Sequence, residues 1–142
     1  MKKSAGILFI YNNKALLCHP SKAKWINTFG PPKGGIEKGE TPLQAAIREC
    51  KEEASLQIEP SMVDTKNCVT IDYSTKNGKI FKKVILFVVK LKSLDEIGLQ
   101  EEVIIQDKLQ LEEVDWCGFM SKDEWVDKVF WRFKEVLDAN IS

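Results

Sequence analysis

Three glutamates, Glu49, Glu52 and Glu53, stand in the run Arg48-Glu-Cys-Lys-Glu-Glu53. They follow a glycine-rich turn, Lys33-Gly-Gly-Ile-Glu-Lys-Gly-Glu40. Residues three and four apart are neighbours on a helix, so these carboxylates share one stripe. Like charges so placed repel by about 0.2–0.5 kcal/mol per pair, which gives the helix nothing for its own stability. A hard divalent cation converts that repulsion into binding. Magnesium takes carboxylate oxygens and leaves its other positions to phosphates and water. The function is expected at this stripe.

The helix that carries the stripe is well signalled. Thr41 suits the N-cap, Pro42 the first helical position, and Gln44 closes a capping box with Thr41. Leu43, Ala46, Ile47, Cys50 and Ala54 recur at helical spacing and define a core face. At about 100° per residue the acidic stripe is centred roughly 120° from that face, at the border of the packed side and facing a cleft. Upstream, Pro31-Pro32 stiffens the approach to the glycine turn.

Around this unit, Ala5 to Tyr11 reads as a buried strand and Asn12-Asn13 as a turn into a second strand, Ala15 to Cys18. Ser21 to Pro32 is loop-like, with Trp25 and Phe29 expected to anchor it. Segments 67–74 and 79–90 read as strands joined through Lys76-Asn77-Gly78, a hairpin signal. Val84 to Val89 is apolar throughout, as in a strand covered on both faces. Segment 93–110 reads as a long loop with weak strand character at 103–105, and 114–119 as a further strand. Ser121 and Glu124 form a second capping box opening a C-terminal helix, whose apolar side holds Trp125, Val126, Val129, Phe130, Phe133, Val136 and Leu137. The order of elements implies a mixed sheet with helices on it.

A chain of 142 residues with 44% hydrophobic residues fits one domain over 1–142 with a core of its own. Lys plus Arg and Asp plus Glu are 21 each, so no net field draws the chain to nucleic acid or membrane. Cys18, Cys50, Cys68 and Cys117 form no Cys-x-x-Cys pair; three lie among apolar neighbours, as buried thiols do. The apolar run after Met1-Lys2-Lys3-Ser4 is too short for a signal peptide or membrane span, so a cytoplasmic location and no membrane partner are expected. His19 reads as a strand-end polar residue, and Lys82 and Lys83 as solvent-facing.

Gly34, five residues, Glu40, seven residues, then Arg48-Glu49-Cys50-Lys51-Glu52-Glu53-Ala54-Ser55-Leu56 resembles the Nudix box, over positions 34–56. Every charged position of that signature is present. Ser55 stands where the family has glycine, at a helix exit where glycine eases a left-handed cap. The resemblance implies a Nudix-type α/β/α sandwich around a central mixed β-sheet. It implies a hydrolase acting on a nucleoside diphosphate linked to another moiety. Glu49, Glu52 and Glu53, with the backbone carbonyl of Lys33, would hold Mg²⁺ or Mn²⁺, and Arg48 would pair with Glu40 to position them. The general base sits either in the box or on the loop before the last strand, where Glu113 and Glu112 stand.

The resemblance extends to the substrate. Dinucleoside polyphosphate hydrolases of this family often carry a tyrosine about seventeen residues past the box, where Tyr73 lies, and Phe29-Gly-Pro-Pro-Lys-Gly-Gly35 looks like the Pro-Lys-Gly entry of the diadenosine polyphosphate and RNA 5′-end members. A ring there would stack on a base, although a tyrosine in a strand before a hairpin is often only packing. Diadenosine tetraphosphate is the favoured substrate. Hydrolysis of ordinary or oxidised nucleoside triphosphates comes next, then RNA 5′ ends, the one nucleic-acid partner entertained. A non-catalytic nucleotide sensor is the contrasting class; the resemblance fits a monomer or a homodimer.

Overall fold

The computed structural model describes residues 1–24 and 27–141; Trp25 lies outside them. The central strand β1, Lys2–Tyr11, is buried on both sides because its side chains alternate between two apolar layers. Ala5, Ile7 and Phe9 enter one layer, Leu8 and Ile10 the other. Asn12 and Asn13 turn the chain with φ of 50° and 59°, the left-handed pair that a two-residue hairpin favours. β2, Lys14–Pro20, then pairs with β1 only at Ile10–Ala15 and Tyr11–Lys14 before leaving it. β3, Lys33–Gly35, takes the vacated edge at the start of β1, with Ser4 opposite Gly35 and Gly6 opposite Lys33. Gly6 permits that approach, since a Cβ there would collide with the Pro32 carbonyl and Lys33.

The sheet runs β4–β5–β1–β2–β6, with β4 Cys68–Ser74, β5 Ile80–Lys90 and β6 Val114–Met120. β5 lies parallel to β1 and antiparallel to β4, and β2 antiparallel to β6, which makes the sheet mixed. In the β4–β5 connection Gly78 takes φ of 83°, and Thr75 N–H donates to Lys79 O at 2.8 Å. Helix α1, Pro42–Ala54, covers one face. Its capping box closes as the residue types require: Gln44 N–H to Thr41 Oγ1 at 3.1 Å, Thr41 N–H to Gln44 Oε1 at 2.9 Å. Ala45, Ala46, Ile47, Cys50 and Ala54 are buried beneath it, and Leu43 is half-buried. In segment 93–110 the expected strand character shrinks to one bridge, Val103 with Gly118.

The opposite face is covered by the C-terminal segment, and here the expected single helix gives way to pieces. α2 spans Lys122–Trp125, a 3₁₀ turn Trp131–Phe133, and α3 Lys134–Asn140. Between them Phe29 pairs with Val129: Phe29 N–H donates to Lys128 O at 3.0 Å and Phe130 N–H to Phe29 O at 2.8 Å. Backbone groups a helix would have used are taken by the incoming loop, in a stretch of valine and aromatics with weak helix preference. The apolar side survives: Trp125, Val129, Phe133, Val136 and Leu137 are buried, Val126 and Phe130 half-buried. No helix among the described residues is long and apolar enough to cross a membrane.

Candidate functional site

The splaying of β2 from β1 opens a gap at β3, and α1 lies against β3 at the same place. Gly34 sits directly beneath the Glu49 carboxylate, and a Cβ at Gly34 would collide with it. The first glycine of the signature is therefore a matter of space at a carboxylate.

Arg48 organises the outer part. Its Nε and Nη2 reach Glu40 Oε2 and Oε1 at 2.8 and 2.9 Å, and Nη2 also donates to Gly35 O at 2.9 Å. Nη1 donates to Glu49 Oε1 at 2.8 Å and Glu52 Oε2 at 3.3 Å. The Arg48 hydrogen bond, helped by one from the Glu37 N–H, holds the Glu40 carboxyl down at about 2. Glu49 is largely covered, whereas Glu52 is half open to solvent.

Glu53 behaves differently. It is 7% exposed, and burial pushes its carboxyl up to about 8, with the charge of Glu49 and, more weakly, of Glu113 adding to the effect. The Lys33 ammonium and a hydrogen bond from the Lys33 backbone oppose that shift. Burial lowers Lys33 in turn, against the charge of Glu53. Both residues line a cavity of about 130 Å³ together with Gly30, Tyr73, Phe130 and Phe133.

Tyr73 lines the same cavity as Glu53, and it also packs at 5.7 Å ring to ring on Phe130. Glu113 and Glu112 are exposed on a loop tied to the end of α1 by Gln110 N–H to Glu53 O at 2.9 Å. Ser21 N–H donates to Glu113 O at 3.0 Å, fixing the same loop to the exit of β2. His19 stands at the end of β2, its Nδ1 2.6 Å from Asp115 Oδ1, and packs at a tilt on half-buried Phe29, 4.9 Å ring to ring, outside the cavity. Cys18, Cys50 and Cys117 are buried thiols and Cys68 is exposed.

Lys82 corrects the sequence reading. It is not simply solvent-facing but half-buried with its Nζ 5.0 Å over the Tyr73 ring, and burial, with the charges of Lys33 and Lys2, lowers it to about 8. Register could have revealed it, since Lys82 is the cross-strand partner of Tyr73. Lys83, half-buried too, lies 3.7 Å from Asp72. Arg132, which the sequence did not single out, stands against the same ring, its guanidinium 5.0 Å from the Tyr73 centroid.

Among the described residues no three His, Cys, Asp or Glu side chains converge closely enough to hold a metal ion as they stand. Arg48 draws Glu49 and Glu52 to itself. The donor set is nevertheless all hard oxygen, suited to magnesium or manganese. The buried Glu53 carboxyl, opposed by Glu49, is a place where a cation relieves both desolvation and repulsion. The residues present fit such an ion once Glu49 and Glu52 share it with Arg48.

A family model described as the NUDIX domain matches residues 1–136. The chain is 40% identical over 72 residues to the bis(5′-nucleosyl)-tetraphosphatase (asymmetrical) of Caenorhabditis elegans, a match spanning 51% of each chain. It thus covers about half the length of that curated relative. The crystal structure of a C. elegans Ap4A hydrolase binary complex is similar over 98% of this chain and 99% of that one, with TM-score 0.62 and 24% identity. A NUDIX hydrolase from Nitrosomonas europaea is similar over 99% and 90%, with TM-score 0.67 and 18% identity. Likeness at that identity speaks for the fold, while the family match extends from the first strand through the box to the C-terminal segment: the chain belongs to the Nudix hydrolase family.

Proposed function

We propose that this protein is a divalent-metal-dependent hydrolase of phosphoanhydride bonds whose substrate is a dinucleoside polyphosphate of the diadenosine tetraphosphate type. The observation that carries the reading is the meeting of Glu53, Lys33 and Tyr73 in one small cavity beside the Arg48 cluster. Carboxylates for a cation, ammonium groups for phosphate and a ring for a base are the three needs of a nucleotide polyphosphate. The relatives named as tetraphosphatase and Ap4A hydrolase support the choice of substrate.

In this reading Glu49, Glu52, Glu53 and the Lys33 carbonyl hold Mg²⁺ or Mn²⁺. The ion, when bound, polarises phosphoryl oxygens and lowers the pKa of its water. The protein's own groups do the rest. Glu40 and Arg48 fix the orientation of Glu49, and Gly34 leaves room for it. In the same reading Lys33, in the cavity, and Lys82, over the Tyr73 ring, offset phosphate charge, and Glu113, whose charge acts on Glu53, accepts a proton from the attacking water.

A nucleotide panel with magnesium, products resolved by chromatography, tests the proposal. ATP plus AMP from diadenosine tetraphosphate, lost in Glu53→Gln, is the expected result. Nucleoside monophosphate plus pyrophosphate from triphosphates, with the dinucleotide untouched, would overturn the substrate. Equal and negligible turnover by wild type and Glu53→Gln would overturn the enzyme reading and favour a sensor.

A further inference from the structure

The cavity of about 130 Å³ is well below the roughly 300 Å³ from which sites enclosing a whole small ligand begin. It has room for phosphate but not for a nucleoside, so the bases of any substrate lie on the surfaces beside it. One such surface continues outward without a break. Phe130 lines the cavity and lies 5.9 Å, ring to ring, from Trp131. The Arg132 guanidinium sits between two rings, 5.0 Å from Tyr73 and 4.3 Å from Trp131. Its nitrogens donate to Asp72 O at 3.0 Å and Ser74 O at 3.1 Å, so the plane is held by β4 and cannot swing away.

Trp131 is nonetheless 59% exposed. Fastening Arg132 to the β4 carbonyls needs no indole. An exposed ring, backed at 4.3 Å by a fixed cation and next to a ring that lines a phosphate-sized cavity, has the chemistry of a stacking platform for a planar base on an anionic tail. The ring centres of Tyr73 and Trp131 are separated by no more than the sum of the two Arg132 distances, a gap that a short polyphosphate bridges.

We infer that Trp131, backed by Arg132, is the docking shelf for one nucleobase of a two-base substrate, the nucleoside lying farther from the hydrolysed bond. The inference rests on the dinucleoside polyphosphate reading of the same site and adds the residue that distinguishes two-base from one-base substrates. Arg132 is its positioning residue.

The test compares diadenosine tetraphosphate with adenosine 5′-tetraphosphate, which has the same phosphates and one base. Trp131→Ala is expected to raise KM for the first about tenfold, the order of one base–aromatic stack. It leaves kcat and the KM of the second unchanged, and Trp131→Phe restores most of the loss. The same KM change for both substrates, or none for either, overturns the shelf. So does an effect that appears in Phe81→Ala instead, since Phe81 is another exposed ring beside Tyr73, 50% exposed. If the wild type hydrolyses neither compound, the functional reading fails separately. The shelf is then read by titrating metal-free protein with the dinucleotide. Quenching of tryptophan fluorescence present in wild type and absent in Trp131→Phe supports it, and identical quenching in the two, or none, overturns it.

Discussion

Arg48 grips both carboxylate oxygens of Glu40, at 2.8 and 2.9 Å, and so ties the end of the glycine turn to the middle of α1. Its remaining nitrogen holds Glu49 at 2.8 Å, so one guanidinium sets the distance between turn and carboxylates.

Removing that anchor should loosen the carboxylates without removing any of them. Glu40→Gln is expected to weaken metal binding or activity tenfold to a hundredfold, the usual cost of losing a group that orients ligands. Manganese titration by calorimetry, beside steady-state kinetics, measures it; an unchanged affinity and rate would sink the role. The same variant has an acid-side signature. Glu40 is held at about 2, below its ordinary value of 4.5. Its contribution to stability is complete above about 4.5 and is lost as the pH falls through about 2. Thermal melts between pH 2 and 6 should show a shallower loss for Glu40→Gln than for wild type.

Glu53 carries the opposite sign. Its folded value of about 8 lies above the ordinary 4.5, so between these limits the unfolded chain has released a proton that the folded chain keeps. Stability of the metal-free protein therefore falls as pH rises from about 4.5 to about 8. Glu53→Gln removes that slope and should be more stable than wild type at pH 8 by on the order of 2–4 kcal/mol. Magnesium should reduce the deficit of the wild type, because a cation binds the carboxylate form. Urea melts in chelator at pH 5 and pH 8 decide it; parallel pH dependence in both proteins would count against a strained buried carboxyl.

What the sequence made legible was local. The capping box of Thr41 and Gln44, the Asn12-Asn13 turn and the Glu40–Arg48 partnership depend on neighbours a few residues apart or on a fixed signature. What it hid was decided by distant pairing. Lys82 lies over the Tyr73 ring because β4 and β5 set the two residues opposite each other, and a register irregularity after Tyr73 makes simple counting from the turn unsafe. Phe130 and Phe133 face the cavity because Phe29 captures the backbone at 128–130 and stops a helix that the apolar spacing favoured. Periodicity finds which residues are apolar together. It does not find which loop will take their hydrogen bonds.

Ser55 shows how the departure from the signature is accommodated. It adopts φ of 56° and ψ of 29° as the helix exits, the left-handed conformation that glycine takes at no steric cost. Its hydroxyl donates to Lys108 O at 2.7 Å, fastening the helix end to the loop at 106–108. Ser55→Ala keeps the strain and loses the bond, so a loss of about 1 kcal/mol is expected. Ser55→Gly loses the same bond and relieves the strain, so its stability should stay within about 0.5 kcal/mol of wild type. Denaturant melts of the two variants decide it, and equal losses would show that the backbone conformation costs nothing here.

Lys82 offers a test of the phosphate reading that leaves the carboxylates intact. Its ammonium lies over the Tyr73 ring and is lowered to about 8, chiefly by burial and then by the repulsion of Lys33. Above that pH the free protein loses the charge, while a bound polyphosphate would retain it by pairing. Affinity for an anionic substrate should therefore fall as pH rises through about 8, with kcat less affected. Lys82→Ala should raise KM severalfold at pH 7 and remove that component of the pH dependence. Lys82→Arg, which stays charged, should hold KM low to higher pH. Tyr73→Ala removes the surface that Lys82 rests on and should raise KM as well. A KM that follows the same pH curve in wild type, Lys82→Ala and Lys82→Arg would show that this lysine meets no phosphate and serves only to cover the tyrosine.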